Sequence, residues 1–314
     1  MKKYKFFIKK TCISQNGKRL DKSIAEIFPE YSRNKIKKFI INNQVKVNDI
    51  CIINPKKNIK GGECIKIKIS KKNNLISKKR KTYKLIYEDD DILVINKYKD
   101  VIVHPGCDKH ENTLLHDILF NYPDSKNLYR AGIVHRLDKD TTGLMLIARN
   151  SFSQKKLIKL LKLRLINREY RAVLLGKIIC DGTVSAPIIR NSKNRTRMKV
   201  HISGKESITH YKIIKNFNDF SYVKINLESG RTHQIRLHMS YINHPVLGDF
   251  VYGNKKNKYI KTLYKSIFNI SRHALHARKI KFIHPINNCL MVHKIDLPDD
   301  MKILLKNLKY LNKI

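Results

Sequence analysis

The sequence predicts a mixed α+β protein in two parts, and three observations lead to that reading. Residues 18–75 combine two short helical patterns with two alternating strands, residues 76–84 are basic and aperiodic, and residues 85–314 intersperse many strand-like runs with longer helical stretches. In the first part, RLDKSIAEIF sets Leu20, Ile24, Ile27 and Phe28 at helical spacing and stops at Pro29. YSRNKIKKFIINN follows, with Ser32 as the expected N-cap and Ile36, Phe39 and Ile40 on one face. QVKVND and ECIKIKI alternate as strands, joined through NPKKNIKGG. The second helix turns Arg33, Lys35, Lys37 and Lys38 outward, which the net charge favours as a phosphate-binding face over a merely solvated one.

KISKKNNLISKKRKTYK (Lys68 to Lys84) leaves the last strand and, without periodicity, becomes a linker over 76–84. Beyond it, KLIYEDDDILVINK is expected to form two strands around the acidic turn Glu88–Asp91. VIVHPG, GIVHRLD, GLMLIAR, YRAVLLG, FSYVKINLESG and LHARKIKFIH are expected to add further strands, with helices near 111–120, 151–163, 231–242 and 300–312. No internal repeat is visible.

Composition narrows the partners. The 314 residues carry 66 Lys and Arg against 25 Asp and Glu, a net charge of +41. A charge that large opposes compactness unless a polyanion compensates it, so RNA, DNA or anionic lipid is the expected partner. Lys, Ile and Asn are all abundant, as under AT-rich codon bias, which makes arginine the better witness. Only 16 of the 66 basic residues are Arg, and where Arg persists a planar fork is needed that Lys cannot supply. Cys12, Cys51, Cys64, Cys107, Cys180 and Cys289 are dispersed without a CxxC pair and are expected to be reduced, mostly buried thiols rather than a disulfide framework or zinc site. The opening MKKYKFFIKKTC is too short in apolar residues for a signal peptide, and no apolar run suffices for a membrane span. The expected location is the cytoplasm.

Ala131–Asn150, AGIVHRLDKDTTGLMLIARN, sets two carboxylates among bases between apolar runs. A surface turn would need no function. A calcium loop fails, because D-x-D-x-T-G requires an acid at its twelfth position, where Arg149 stands. A catalytic reading places Asp138 at the end of an apolar strand, with Arg136 and Lys139 keeping it ionised. Such a carboxylate can act as a nucleophile or stabilise positive charge at a sugar anomeric carbon. Gly143 permits the tight return into LMLIA.

HRLDKDTTG resembles the H-R-L-D-x-x-T-S/T-G signature of the RluA family of pseudouridine synthases. INREYRAVLLG, SGRTHQIRLHMSYINHPVLGDFVYG, LHARKIKFIHP and VIVHPG resemble that family's other motifs, and residues 18–75 resemble the S4 RNA-binding domain. The resemblance implies a catalytic domain over 85–314 with a mixed, mainly antiparallel sheet, and an S4-like docking module before it. It implies that Asp138 breaks the uridine N-glycosidic bond, by adding to C1′ or by assisting a glycal route, without cofactor or metal. It also implies that Tyr170 packs against the base, that Arg236 pairs with Asp138, and that Leu275 is a candidate to pack against Tyr170 and the base. Arg136 resembles the arginine that fills the RNA helix when uridine is flipped out; His135, Arg231, Arg33, Lys37 and Lys38 are further expected RNA contacts. The implied partner is 23S ribosomal RNA or a large-subunit precursor, with the helix 69 stem-loop as substrate and the protein a monomer.

Other features have plainer readings. His273 and His276 form HxxH, but no nearby acid completes a zinc motif. His135, His233 and His238 are expected to be structural or RNA-contacting, and Asp140 to form a turn. RNSKNRTRMK (Arg190 to Lys199) is a basic loop, for RNA contact or merely solvated. Two rivals stand beside the main reading: a related synthase acting on other rRNA or tRNA uridines, and an RNA-binding assembly factor, which would need neither Asp138 nor Arg236.

Overall fold

The computed structural model describes residues 4–29, 31–70, 81–105, 113–253 and 270–311. Cys107, residues 76–80 of the expected linker and residues 111–112 of an expected helix lie outside the described residues. The chain divides into two compact units, Met1–Lys78 and Lys79–Ile314.

In the first unit, α1 (Leu20–Ile27) and α2 (Arg33–Ile41) cover an antiparallel sheet of order β1-β4-β2-β3. Its strands are β1 (Tyr4–Lys10), β2 (Val45–Val47), β3 (Ile50–Cys51) and β4 (Cys64–Ser70). Leu20, Ile24 and Phe28 meet Ile36, Phe39 and Ile40 over Val45, Ile65 and Ile67, so the helical spacing and the strand alternation bury one shared core. One strand was not anticipated and one expectation changes. β1 pairs with β4 through residues too charged to read as a strand alone. Ser32 holds the extended N-cap backbone of α2, but its side chain makes no capping hydrogen bond.

The second unit is built on a nine-stranded sheet of order β5-β6-β7-β14-β8-β13-β12-β9, with β15 beside β14. The hairpin of β5 (Tyr83–Glu88) and β6 (Ile92–Lys97) leads to β7 (Thr142–Ala148), β8 (Asn167–Leu175) and β9 (Gly182–Ser185). A small separate ladder, β10 (Ile188–Arg190) with β11 (Met198–Val200), brackets the basic loop. β12 (Ile208–Phe217), β13 (Phe220–Leu227), β14 (Leu275–Ile283) and β15 (Leu290–Lys294) complete the sheet. Every sheet pairing is antiparallel except β14 with β7, where His276 faces Thr142 and Ala277 faces Gly143.

Helices cover both faces. α3 (Leu114–Asn121) and α5 (Gln234–Tyr241) pack on the side of Met145, Ile147, Tyr170 and Leu275. α4 (Ser151–Lys162) packs on Leu144 and Leu146, and α6 (Asp299–Leu311) on Val173 and Tyr222. β7 is therefore buried on both faces, which explains its unbroken apolar run; each such side chain contributes about 1.5–3 kcal/mol by burial.

Four further expectations are corrected. Residues 83–84 belong to β5, not to a linker. Among its described residues, VIVHPG gives only a single bridge, from Ile102 to Thr113. GIVHRLD is not a strand: Gly132 (φ 80°) still closes the tight turn Tyr129–Gly132, and only Ile133 bridges, to Ile147. Ile133 and Leu137 are nonetheless buried and Val134 is partly buried, which is why the run looks like a core strand. The described cysteines are not mostly buried: Cys12, Cys51, Cys180 and Cys289 are exposed and Cys64 is intermediate, because they fall in turns, short strands and termini of elements. Among the described residues no helix is long and apolar enough to cross a membrane.

Candidate active site

Asp138 sits on the irregular segment that leads into β7, not at the end of a strand, and nearly every group around it is tied down. Asp138 O accepts Thr141 N–H (3.2 Å). Lys139 O accepts both Val101 N–H (3.1 Å) and Nζ of the buried Lys97 (3.0 Å). Asp140 O accepts Arg272 Nη1 (3.1 Å), and Arg272 is held in turn by Asp300 through Nε (2.7 Å) and Nη2 (3.0 Å). The two threonines bond to the HxxH pair: Thr141 Oγ1 with His273 Nε2 (2.7 Å) and Thr142 Oγ1 with His276 Nδ1 (2.8 Å). Burial pushes His273 down to about 3 and His276 to about 4, so both rings are neutral at pH 7. Gly143, at φ +119°, brings β7 against β14 so closely that a Cβ would stand 2.2 Å from Ala277 O. The D-K-D-T-T-G sequence is thus a loop clamped onto β14.

The Asp138 carboxylate faces a cavity of about 420 Å³ that Tyr170, Leu275, His233, Arg136 and Arg231 help to line. Arg236, on α5, donates from Nη1 to Asp138 Oδ2 (2.9 Å). The rest of its guanidinium grips Asp249, Nε to Oδ2 at 2.6 Å and Nη2 to Oδ1 at 2.9 Å. The fork therefore belongs to Asp249, and one N–H is left for Asp138. Asp249 is itself fixed by the N–H groups of Val251 and Tyr252. Burial opposes ionisation of Asp138, but nearby positive charge and the Arg236 hydrogen bond hold its carboxyl below the usual carboxylate range. His233 is pushed down by burial and is neutral at pH 7, so Arg236 is the cation that keeps Asp138 charged there. Tyr252 Oη accepts Met198 N–H (2.8 Å) and meets His233 Nδ1 (2.8 Å). With the tyrosine proton on that contact, His233 carries its own proton on Nε2, 3.9 Å from Asp138 Oδ1.

The expected residues separate into groups. Asp138, Tyr170, Arg236, Leu275, Arg136 and Arg231 line one cavity. Burial raises the Tyr170 hydroxyl above its usual range, so it stays protonated. Arg136 and Lys139 do not supply the charge that ionises Asp138: Arg136 is exposed, and Lys139 turns away to Asp100 at 2.8 Å. His135 uses Nε2 to accept Leu146 N–H (3.0 Å). His238 is fully buried between Thr209 and Ala186 O. In the first unit, Arg33 (3.1 Å) and Lys37 (3.7 Å) converge with Arg19 (3.1 Å) on Asp21, while Lys38 is exposed. Burial opposes ionisation of Asp21, but Arg33 and Arg19 hold it below the usual carboxylate range. Asp249, Lys97, Arg272 and Arg168 were missed by the sequence reading; Arg168 and Arg272 carried a signal, as arginines in a lysine-rich chain.

Residues 91–241 match the family described as RNA pseudouridylate synthase, and residues 18–65 match the S4 domain. The chain is 44% identical over 300 residues to ribosomal large subunit pseudouridine synthase D of Haemophilus influenzae, covering 94% of this chain and 92% of that protein. Its Buchnera aphidicola counterpart is 44% identical over 299 residues, covering 93% and 95%. Among solved structures, human RNA pseudouridylate synthase domain containing 4 matches with a TM-score of 0.57 at 20% identity, over 72% of this chain and 92% of that one. Human RNA pseudouridylate synthase domain containing 1 matches at 0.55 and 24%, over 74% and 96%, and these two likenesses bear on the fold. With a mixed, mainly antiparallel sheet, an S4 domain in front and this identity over nearly the whole chain, the protein belongs to the RluA-type RNA pseudouridine synthases, isomerases that convert uridine to pseudouridine.

Proposed function

We propose that this enzyme acts on 23S ribosomal RNA of the large subunit, at uridines of the helix 69 stem-loop, with Asp138 as the reacting carboxylate. The observation that carries the role of Asp138 is its 2.9 Å bond from buried Arg236 inside the cavity that also holds Tyr170 and Leu275. The N1–C1′ bond of uridine breaks, a C5–C1′ bond forms, and the C5 proton is replaced by one on N1, so no atom is gained or lost. Asp138 either adds to C1′ or takes part in a glycal route; both require the ionised form that Arg236 maintains. Tyr170 and Leu275 pack against the uracil while it turns, and Arg136 fills the place the base leaves in the RNA. Arg231 and the outward cations Arg33, Lys37 and Lys38 contact the RNA backbone. This chemistry needs no metal or cofactor, and a monomer suffices for it. The relatives' names and the S4 match support the large-subunit target. Pseudouridine mapping of 23S RNA from cells with and without the protein tests it: sites in helix 69 should vanish without it, and unchanged helix 69 with losses elsewhere would reassign the target.

A further inference from the structure

Beside the Asp138 cavity lies a second one, of about 700 Å³, whose walls include His104, Arg130, His135, Arg136 and Arg168 and, among the described residues, no carboxylate. Arg136, Arg168 and Gly230 belong to the walls of both. β8 accounts for the sharing: Arg168 and Tyr170 are two apart on one strand and project from the same face.

Arg168 is only 8% exposed, yet its Nε has no partner among the described residues and Nη2 reaches only Glu228 O, at 3.4 Å. A buried guanidinium with no carboxylate beside it is unfavourable unless a ligand supplies the acceptor. Gly230 makes room for it, since a Cβ there would stand 2.6 Å from Arg168 Nη1. His135 repeats the pattern. Its Nε2 accepts Leu146 N–H, so the neutral ring carries its proton on Nδ1, and that buried Nδ1 has no partner among the described residues. His104 Nδ1 is likewise buried and unpartnered among them. Burial lowers His135 to about 3 and His104 to about 4, so the histidines act here as neutral rings among arginines.

We propose that this cavity is a subsite for an RNA phosphodiester flanking the nucleotide in the Asp138 cavity, bound by the Arg168 guanidinium and His135 Nδ1–H with Arg130 and Arg136 alongside. The inference rests on the reading that a uridine occupies the Asp138 cavity. Three guanidiniums with no carboxylate among the described lining residues call for an anion, and the shared wall at Arg168 puts that anion one linkage or so from the reacting sugar.

The test uses full-length protein and a synthetic helix 69 stem-loop in which single phosphodiesters around the target uridine are replaced by uncharged methylphosphonates. One flanking replacement should weaken wild-type binding about tenfold, the value of a charge-assisted contact, and Arg168→Met binding by less than about twofold. Arg168→Lys, which keeps the charge, should fall between, and Gly230→Ala, which displaces an intact Arg168, should follow Arg168→Met. Inorganic phosphate that binds wild type but not Arg168→Met, with wild-type RNA affinity indifferent to every replacement, would assign the cavity to a free anion and overturn the phosphodiester. A wild type indifferent to every replacement, or an Arg168→Met protein that loses the same factor, also overturns the subsite. Absence of pseudouridine from the wild-type reaction overturns the target instead, and the binding comparison still decides the subsite.

Discussion

Asp21 and Asp138 are both carboxylates held by arginine, and they are built inside out relative to each other. The Asp21 side chain is 0% exposed, whereas its partners Arg19, Arg33 and Lys37 are 39%, 46% and 40% exposed. At Asp138 the cation is the buried member: Arg236 is 7% exposed and the carboxylate, at 14%, faces the cavity. In the first unit a hidden anion gathers cations that still show an outer face, which suits a polyanion. In the second, Asp249 and Arg236 form a hidden pair that presents a single carboxylate, which suits a reaction at one atom. The number of charges is similar in the two places; which of them is sealed decides what the place can do.

Substitutions can break each arrangement separately. The largest of these effects is expected at Arg236. Lysine keeps the charge but cannot hold Asp249 with a fork and Asp138 with a third N–H. A displacement of about 1 Å at the reacting group corresponds to a loss on the order of 100-fold in single-turnover rate, with near-normal RNA affinity. Rates for Arg236→Lys equal to wild type would remove Arg236 from the site.

Acid should weaken the clamp around the Asp138 loop before it touches the carboxylates. His135, His273 and His276 sit at about 3, 3 and 4 in the folded protein against 6.5 when unfolded. Between those values the unfolded chain binds more protons, so stability is full above 6.5 and falls as pH drops. Each ring should cost up to about 2 kcal/mol by pH 5. Asp138 and Asp249, both held below the usual carboxylate range, add nothing to this loss until lower pH. Thermal melts at pH 7 and pH 5 read it directly; equal midpoints would contradict the neutral buried histidines.

In the S4 unit, Arg33→Ala removes one outward cation while Arg19 and Lys37 still satisfy Asp21. The log–log salt slope of RNA binding should flatten by about 0.7–0.9, and catalysis at saturating RNA should stay as it is. An unchanged slope would leave Arg33 as purely structural. The smallest effect is expected at Lys139, beside Asp138 in sequence but paired with Asp100 at the surface. Lys139→Ala should change the single-turnover rate by no more than about twofold, since an exposed pair is worth little.

Much of this could be read from the sequence because it is local. Asp138 is set in a contiguous motif, α1 and α2 follow apolar spacing, and β7 is an unbroken apolar run. What was not legible depends on distant pairing. Thr141 and Thr142 meet His273 and His276 only because β7 and β14 run parallel, more than a hundred residues apart in sequence. The Asp138 segment looked like a strand because Ile133 and Leu137 are buried, and the turn that ends at Gly132 leaves no mark in a pattern of hydrophobicity. Asp249 stood in a quoted motif, but nothing along the chain says that the Arg236 fork turns to it rather than to Asp138.

The central claim is that Asp138 is the reacting group and that its neighbours serve to present it. The direct measurement is single-turnover pseudouridine formation by Asp138→Asn at saturating RNA, with affinity determined on the same preparation. The substitution keeps the shape and one acceptor for Arg236 but removes the charge that the proposed chemistry uses. The account predicts no detectable pseudouridine, with affinity within about tenfold of wild type, or roughly 1.4 kcal/mol. Measurable turnover by the purified variant would contradict it.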